Sequence, residues 1–126
     1  FVEAMNAEIR KKKPDYVRVH DSGDYYSTAY LKKWIEVAIH NPSVRFYSYT
    51  NMIDMLLKTS LPDNYDIIFS DSGKQKKLIN ERQHRHTKIF SSHSDLVSAG
   101  YTDASSIDLM ATKWFNSSNK VGLIFH

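Results

Sequence analysis

Short runs of β-branched and aromatic residues alternate along this chain with stretches whose apolar positions recur at helical spacing. The most regular stretch follows Ser27, a residue type that caps helix N-termini, and stops at Asn41-Pro42. Its apolar positions are Tyr30, Leu31, Trp34, Ile35, Val37 and Ala38. Another amphipathic stretch opens the chain and is broken at Pro14. Both stretches are predicted to be helices.

Five further segments have the composition of strands, at residues 16–20, 44–49, 65–69, 87–90 and 121–125. Between them the pattern predicts a short helix capped by Asn51 and a basic helix after Gly73, with Leu78 and Ile79 as its buried edge. Residues 94–116 are predicted to hold a short helix and then a longer one. The longer one would carry Ile107, Leu109, Met110, Trp114 and Phe115.

The alternation of strands and helices predicts the fold class. Parallel neighbours need a crossover connection, and a helix supplies it, so we predict an α/β fold of alternating βα units with a mainly parallel sheet. Five units are little more than half of an eight-fold barrel, which leaves an open sheet or a partial (β/α) barrel. Residues 1–126 are expected to form a single α/β domain. Because the chain starts in a helical pattern and ends in a strand pattern, we expect it to be a fragment of a longer chain.

Composition narrows the chemistry. The chain has 17 basic and 14 acidic residues, a formal net charge of +3, and no cysteine. Within these residues this excludes disulfides, thiolate zinc sites, thiol nucleophiles and cysteine-held iron–sulfur clusters. No apolar run is long enough to span a bilayer, so no membrane partner is expected. Basic clusters at residues 11–13, 74–77 and 82–86 are interpreted as solvated surface, with phosphate contacts to nucleic acid as the alternative.

Polar residues follow every predicted strand, at the end where parallel α/β folds bind ligands. The candidate ligand-binding residues are Arg18, Ser22, Thr50, Asn51, Ser70, Ser72 and Ser92. The candidate catalytic residues are His20, Asp21, Asp24, Asp71 and His93. Ordinary roles in turns and helix caps are the alternative for all of them.

The segment from Arg18 to Asp24 has the densest set of chemical groups. Alternation places Arg18 and His20 on one side of the first strand, and an interior Arg18 would need Asp66, Asp71 or a bound anion as its partner. Histidine and aspartate from several strand ends could also hold a metal ion, although no local spacing such as H-E-x-x-H supports this. The candidate metal ligands are His20, Asp24, His93 and His126, with Asp21 and Asp71 beside them.

Three stretches together resemble a known family. Residues 17–27, then Tyr30-Leu31 and Trp34, then residues 44–50 are similar to the phage gene-product-88 proteins, which bacteriophages and prophages encode. The resemblance is best over residues 1–50, and the closing Phe125-His126 is also similar. It implies a cysteine-bearing segment upstream, often more cysteines before the last strand, and a metal- or iron–sulfur-binding barrel in the style of radical-SAM enzymes. Residues 103–119 contain no cysteine, which departs from that pattern.

By this resemblance, His20, Asp21, Ser22 and Asp24 are carried over as a site without an assigned role. We expect a small-molecule or nucleotide-like ligand at the strand ends, for binding or for catalysis. An iron–sulfur cluster or another metal would need residues outside this chain or histidine and aspartate ligands. A non-enzymatic phage accessory or virion-associated protein, or a weak nucleic-acid binder, is the alternative. The expected location is the cytoplasm of a bacterial host, with virion association also open.

Overall fold

A computed structural model describes residues 1–19, 25–71 and 73–124. Its helices are α1 Val2–Lys12, α2 Thr28–His40, α3 Ile53–Leu57 and α4 His93–Ser98. Its strands are β1 Tyr16–Arg18, β2 Arg45–Thr50, β3 Tyr65–Ser70, β4 His86–Phe90, β5 Thr102–Asp103 and β6 Lys120–Ile124. Two 3-10 turns lie at Lys76–Leu78 and Asp108–Ala111. None of the helices within these ranges has the length and the apolar composition that a membrane span requires.

The strands form a six-stranded sheet in the order β1-β2-β3-β4-β6-β5. Each pairing whose register is described is parallel, for example Thr87 opposite Val121 between β4 and β6. This confirms the predicted α/β class with a mainly parallel sheet. The two-residue strand β5 was not predicted, because a pair of residues carries no periodic signal.

The chain divides into two compact units, of which the first contains residues 1–48 and 55–66. Here α2 begins as predicted: the Ser27 hydroxyl accepts a hydrogen bond from the Tyr30 amide at 3.0 Å. Helix α2 also ends at Asn41 as predicted, where the Asn41 side chain donates to the Val37 carbonyl. The amide group of Asn64 donates to the Ala38 carbonyl at 2.9 Å, which ties the end of α2 to the turn before β3. Polar side chains therefore fix both ends of α2.

The second unit contains residues 49–54 and 67–126. Helix α4 lies directly against β6, because a Cβ atom on Gly122 would come 2.4 Å from the Leu96 side chain. After α4 the chain turns at Gly100, whose φ of 82° suits glycine, and the Tyr101 amide donates back to the Leu96 carbonyl. This turn brings Tyr101 to the face of the sheet that α4 covers.

The predicted basic helix after Gly73 is wrong. Only the 3-10 turn Lys76–Leu78 forms there, and Leu78 is 41% exposed instead of buried. The two apolar residues of this stretch are adjacent in sequence, so they cannot make the stripe that holds a helix on a core. The loop is organised instead by Asn80, whose carbonyl accepts the amides of Gln83 and His84.

The predicted longer helix before β6 is also wrong. Only the 3-10 turn Asp108–Ala111 forms, and Ile107 and Phe115 are 61% and 48% exposed. The buried Arg85 guanidinium donates to the carbonyls of Ala111, Asn116 and Ser118 at 3.2, 2.6 and 2.8 Å. These carbonyls bond to a side chain distant in sequence, so the segment follows Arg85 and not its own periodicity.

Candidate functional site

A cavity lies at the carboxyl end of β3 and β4, in the second unit. The pairing of these strands ends at Ser70 opposite Thr87, whereas β4 continues to Phe90 and pairs there with β6. The cavity has a volume of about 250 Å³ and is lined by Asp71, Thr87, Lys88, Ile89 and Phe90. This is the edge of the sheet at which the sequence predicts ligand binding.

Of the two charged residues that line this cavity, Lys88 forms an ion pair and Asp71 does not, within the described residues. The Lys88 ammonium lies 3.0 Å from a Glu81 carboxylate oxygen, and this contact raises the pKa of Lys88 and lowers that of Glu81. Asp71 is half-buried, and its carboxylate has no hydrogen bond or ion pair with any residue in the described ranges. The cavity lining therefore presents one ammonium group that is paired with Glu81 and one carboxylate that is able to accept hydrogen bonds from a ligand.

Tyr101 and His86 form a buried pair beside Lys88. The Tyr101 hydroxyl lies 2.8 Å from His86 Nε2, and His86 Nδ1 lies 2.9 Å from the His84 carbonyl oxygen. Because a carbonyl only accepts, Nδ1 carries a proton, and in the neutral ring Nε2 accepts from Tyr101. Burial raises the pKa of Tyr101. The hydroxyl therefore stays protonated at neutral pH and fixes the ring position.

The Tyr101 ring also lies close to Lys88, which lines the cavity. The ammonium groups of Lys88 and Lys120 each lie 5.7 Å from the centre of the ring, within the range of cation–π attraction. The ring of Phe90, another cavity residue, lies 5.2 Å from that of Tyr101. Alternation along β4 places His86, Lys88 and Phe90 on the same face, so this strand supplies three neighbours of Tyr101 and β6 supplies Lys120.

Several predicted site residues instead shape turns. The buried Thr50 hydroxyl accepts a hydrogen bond from the Met52 amide at 3.0 Å, just before α3. Asn51 packs so closely on Gly73 that a Cβ there would lie 2.6 Å from its side-chain oxygen. The Ser92 hydroxyl caps α4 by accepting from the Asp95 amide. Ser70 is half-buried at the end of β3, next to the cavity residue Asp71.

Two other candidates lie on the surface. Arg18 is exposed on the edge strand β1 while its neighbour Val19 is buried, so the prediction of an interior Arg18 is wrong. A three-residue edge strand with one neighbour covers too little surface to bury a guanidinium. His93 is exposed and its Nδ1 lies 3.1 Å from an Asp103 carboxylate oxygen. The pKa of Asp103 is lowered by the Ser105 amide and then by His93.

The remaining candidates lie outside the described residues, namely His20, Asp21, Ser22, Asp24, Ser72 and His126. Within residues 1–19, 25–71 and 73–124, no group of three or more histidine, aspartate or glutamate side chains could hold a metal ion. The catalytic and metal roles of these candidates stay predictions.

Sequence reasoning found Asp71 but missed the residues around it. Thr87 and Lys88 are predicted only as part of a strand, and Glu81 and Tyr101 are not singled out. The interpretation of residues 82–86 as solvated surface is wrong for Arg85 and His86, which are buried because each bonds to groups distant in the chain. One signal was present, because a lysine inside a strand, between Thr87 and Ile89, needs a partner when its face is covered. The sequence does not show that this partner is Glu81.

Comparisons with known proteins agree on one relationship. A family model described as Gene product 88 matches residues 1–121. The Gene 88 protein of Mycobacterium phage L5 is 35% identical over 63 residues, which are 48% of this chain and 26% of that protein. The chain thus aligns with about a quarter of the length of this relative. No solved structure matches.

Proposed function

This chain belongs to the gene-product-88 family of phage proteins, and we propose that it binds a small nucleotide-like ligand in the cavity at the carboxyl ends of β3 and β4. The observation that carries the proposal is the half-buried Asp71 carboxylate on the cavity wall, which no described residue satisfies. A half-buried carboxylate that lines a cavity can accept hydrogen bonds from the N–H groups of a ligand, and this is the contact that the proposal assigns to Asp71.

The lining suggests which groups such a ligand carries. Asp71 would accept from an amino group or ring N–H, as nucleobases present them. Lys88, on the same wall, would donate to a carbonyl or phosphate oxygen. Phe90, on the same face of β4 as Lys88, offers an apolar surface for a ring. A volume of about 250 Å³ is close to the lower limit of small-molecule pockets, so it suits one base-sized group.

The test is isothermal titration calorimetry with adenosine, guanosine, cytidine and uridine monophosphates. We expect at least one to bind, and Asp71→Asn to weaken that binding by about 10- to 100-fold, because hydrogen bonds to a charged group are the strong ones. Asp63→Asn, at an exposed turn before β3, is the matched control and should bind as the wild type does.

Two results would count against the proposal. Equal binding by Asp71→Asn and the wild type would place the ligand elsewhere. No binding of any of the four nucleotides would favour the alternative, a non-enzymatic accessory or virion-associated phage protein. The proposal concerns binding alone and does not depend on the radical-SAM-like enzyme, for which iron–sulfur ligands would have to come from outside these residues. We propose the host cytoplasm, where nucleotides are available, as its place of action.

A further inference from the structure

A second cavity lies in the first unit, at the amino ends of the parallel strands β1 and β2. It has a volume of about 420 Å³ and lies where α1 and α2 end and β1 and β2 begin. Among the residues that line it are Arg10, Lys13, Asp15, Asn41 and Ser43. It shares no residue with the cavity at Asp71.

The cations of this cavity have no partner in the described structure. Arg10 and Lys13 are exposed, and neither side chain makes a hydrogen bond or ion pair with a residue in the described ranges. Lys11 is exposed next to them, whereas Lys12 is paired with Glu8 at 2.8 Å. Asp15, on the same wall, offsets one of the two lining charges and leaves a net positive cavity.

Lys13 occupies an unusual backbone position. It follows the last residue of α1 with φ 49° and ψ 51°, the left-handed conformation in which helices commonly end with glycine. Among the residues that the structure describes, no other non-glycine residue has a positive φ. Its amide caps α1 by donating to the Ile9 carbonyl at 2.7 Å. Glycine would make this cap with less strain, so the backbone alone does not account for a lysine here.

A role in the helix dipole does not account for Lys13 either. Basic side chains stabilise a helix C-terminus, and Arg10, Lys11 and Lys12 already occupy the last turn of α1. Lys13 lies beyond that turn and lines the cavity together with Arg10 and the Ser43 residue. We propose that this cavity binds a phosphate group, with Arg10 and Lys13 as its cationic contacts.

A phosphate group could come from a nucleic-acid backbone or from a small phosphate compound, and two probes separate these sources. Fluorescein-labelled (dT)20 is titrated by fluorescence anisotropy at 50 mM and 200 mM NaCl. Inorganic phosphate is titrated while the amide resonances of Lys13 and Ser43 are followed by NMR. Two phosphate contacts to a single strand predict about a sevenfold loss of affinity between the two salt concentrations.

The decisive variant is Lys13→Gly. It should keep or raise the melting temperature of the protein, and it should lower the affinity for both phosphate probes. We expect Arg10→Gln and Lys13→Gly each to reduce the salt slope for (dT)20 by about 0.7. Lys33→Gln, on the exposed surface of α2 and outside the cavity lining, removes the same charge and is the matched control.

Weaker (dT)20 binding by Lys13→Gly than by Lys33→Gln would support a nucleic-acid source. Amide shifts with inorganic phosphate alone, lost in Lys13→Gly, would support a small phosphate compound. Equal behaviour of Lys13→Gly and Lys33→Gln with both probes would overturn the proposal, since the effect would then be one of net charge. Asp71→Asn should leave all of these results unchanged, so failure here is separate from failure of the nucleotide proposal.

Discussion

Each unit buries a small group of tyrosine-centred hydrogen bonds, and the two groups differ in charge. In the first unit the Tyr25 hydroxyl lies 2.5 Å from both the Ser48 and the Tyr65 hydroxyls, and all three residues are at most 2% exposed. These members are neutral. In the second unit Tyr101 bonds to buried His86 and lies beside Lys88, a charged residue of the cavity wall.

This difference in charge indicates that the Tyr25 group only stabilises the fold, whereas the Tyr101 group also contacts a residue of the candidate binding cavity. Neutral hydroxyls that satisfy one another contribute by avoiding unpaired polar atoms in the core. The Tyr101 group does this for His86, but its ring also fixes where the Lys88 ammonium lies. We therefore expect that removing one hydroxyl affects only folding in the first unit, and both folding and ligand binding in the second.

The largest effect is expected for Tyr25→Phe. It removes a hydroxyl that contacts two buried hydroxyl groups, so we expect the free energy of unfolding to fall by about 2–3 kcal/mol. Urea unfolding followed by circular dichroism measures this. Nucleotide binding by the folded variant should be unchanged. A loss below about 0.5 kcal/mol would mean that Ser48 and Tyr65 satisfy each other without Tyr25.

A smaller loss of stability is expected for Tyr101→Phe. It leaves His86 Nε2 without its donor and should cost about 1–2 kcal/mol. Since the phenyl ring retains the cation–π contact but not the hydrogen bond that holds it in place, we expect nucleotide binding to weaken by about threefold, or about 0.7 kcal/mol. Calorimetry at a temperature where the variant is folded measures this. Unchanged binding together with lost stability would make the two tyrosine groups equivalent and refute the comparison.

The smallest effect concerns the ion pair that anchors Lys88. Lys88 lowers the pKa of Glu81 in the folded state, so the pair stabilises the fold above the ordinary pKa of 4.5 and loses this contribution as the pH falls through the lowered value. The side chains of Lys88 and Glu81 are 37% and 51% exposed, so we expect at most about 0.5 kcal/mol. Urea midpoints from about pH 7 to about pH 3 at low salt should fall less steeply for Glu81→Gln. Identical slopes would show that the pair adds nothing to stability.

The parts of the fold that could be predicted from the sequence depend on local chemistry. Helix α2 begins after Ser27 and ends at Asn41, and the side chain of each forms a hydrogen bond with a residue three or four positions away. The sequence pattern and the structure therefore agree on this helix. Asp71 was found because a general rule places ligands at the carboxyl ends of parallel strands. These inferences needed no knowledge of distant contacts.

The rest of the site depends on contacts between residues far apart in sequence. Lys88 gains its position from Glu81 and from Tyr101, and Tyr101 reaches it only because Gly100 turns the chain after α4. The position of Lys88 within a strand pattern indicates that its side chain needs a partner, but it does not indicate which residue that partner is. For the same reason the helical periodicity around Leu109 is misleading, since it takes no account of the guanidinium of Arg85, the residue before β4.

That guanidinium also ties together parts of the molecule that would otherwise open independently. Arg85 cannot lose its proton, and three backbone carbonyls from residues 111–118 surround its charge inside the protein. If the irregular segment detached while β4 stayed in place, the cation would lose these acceptors where little water reaches it. Residues 111–118 contain little regular secondary structure, yet we expect them to unfold cooperatively with β4. Local unfolding there would therefore proceed as one event that includes the start of β4.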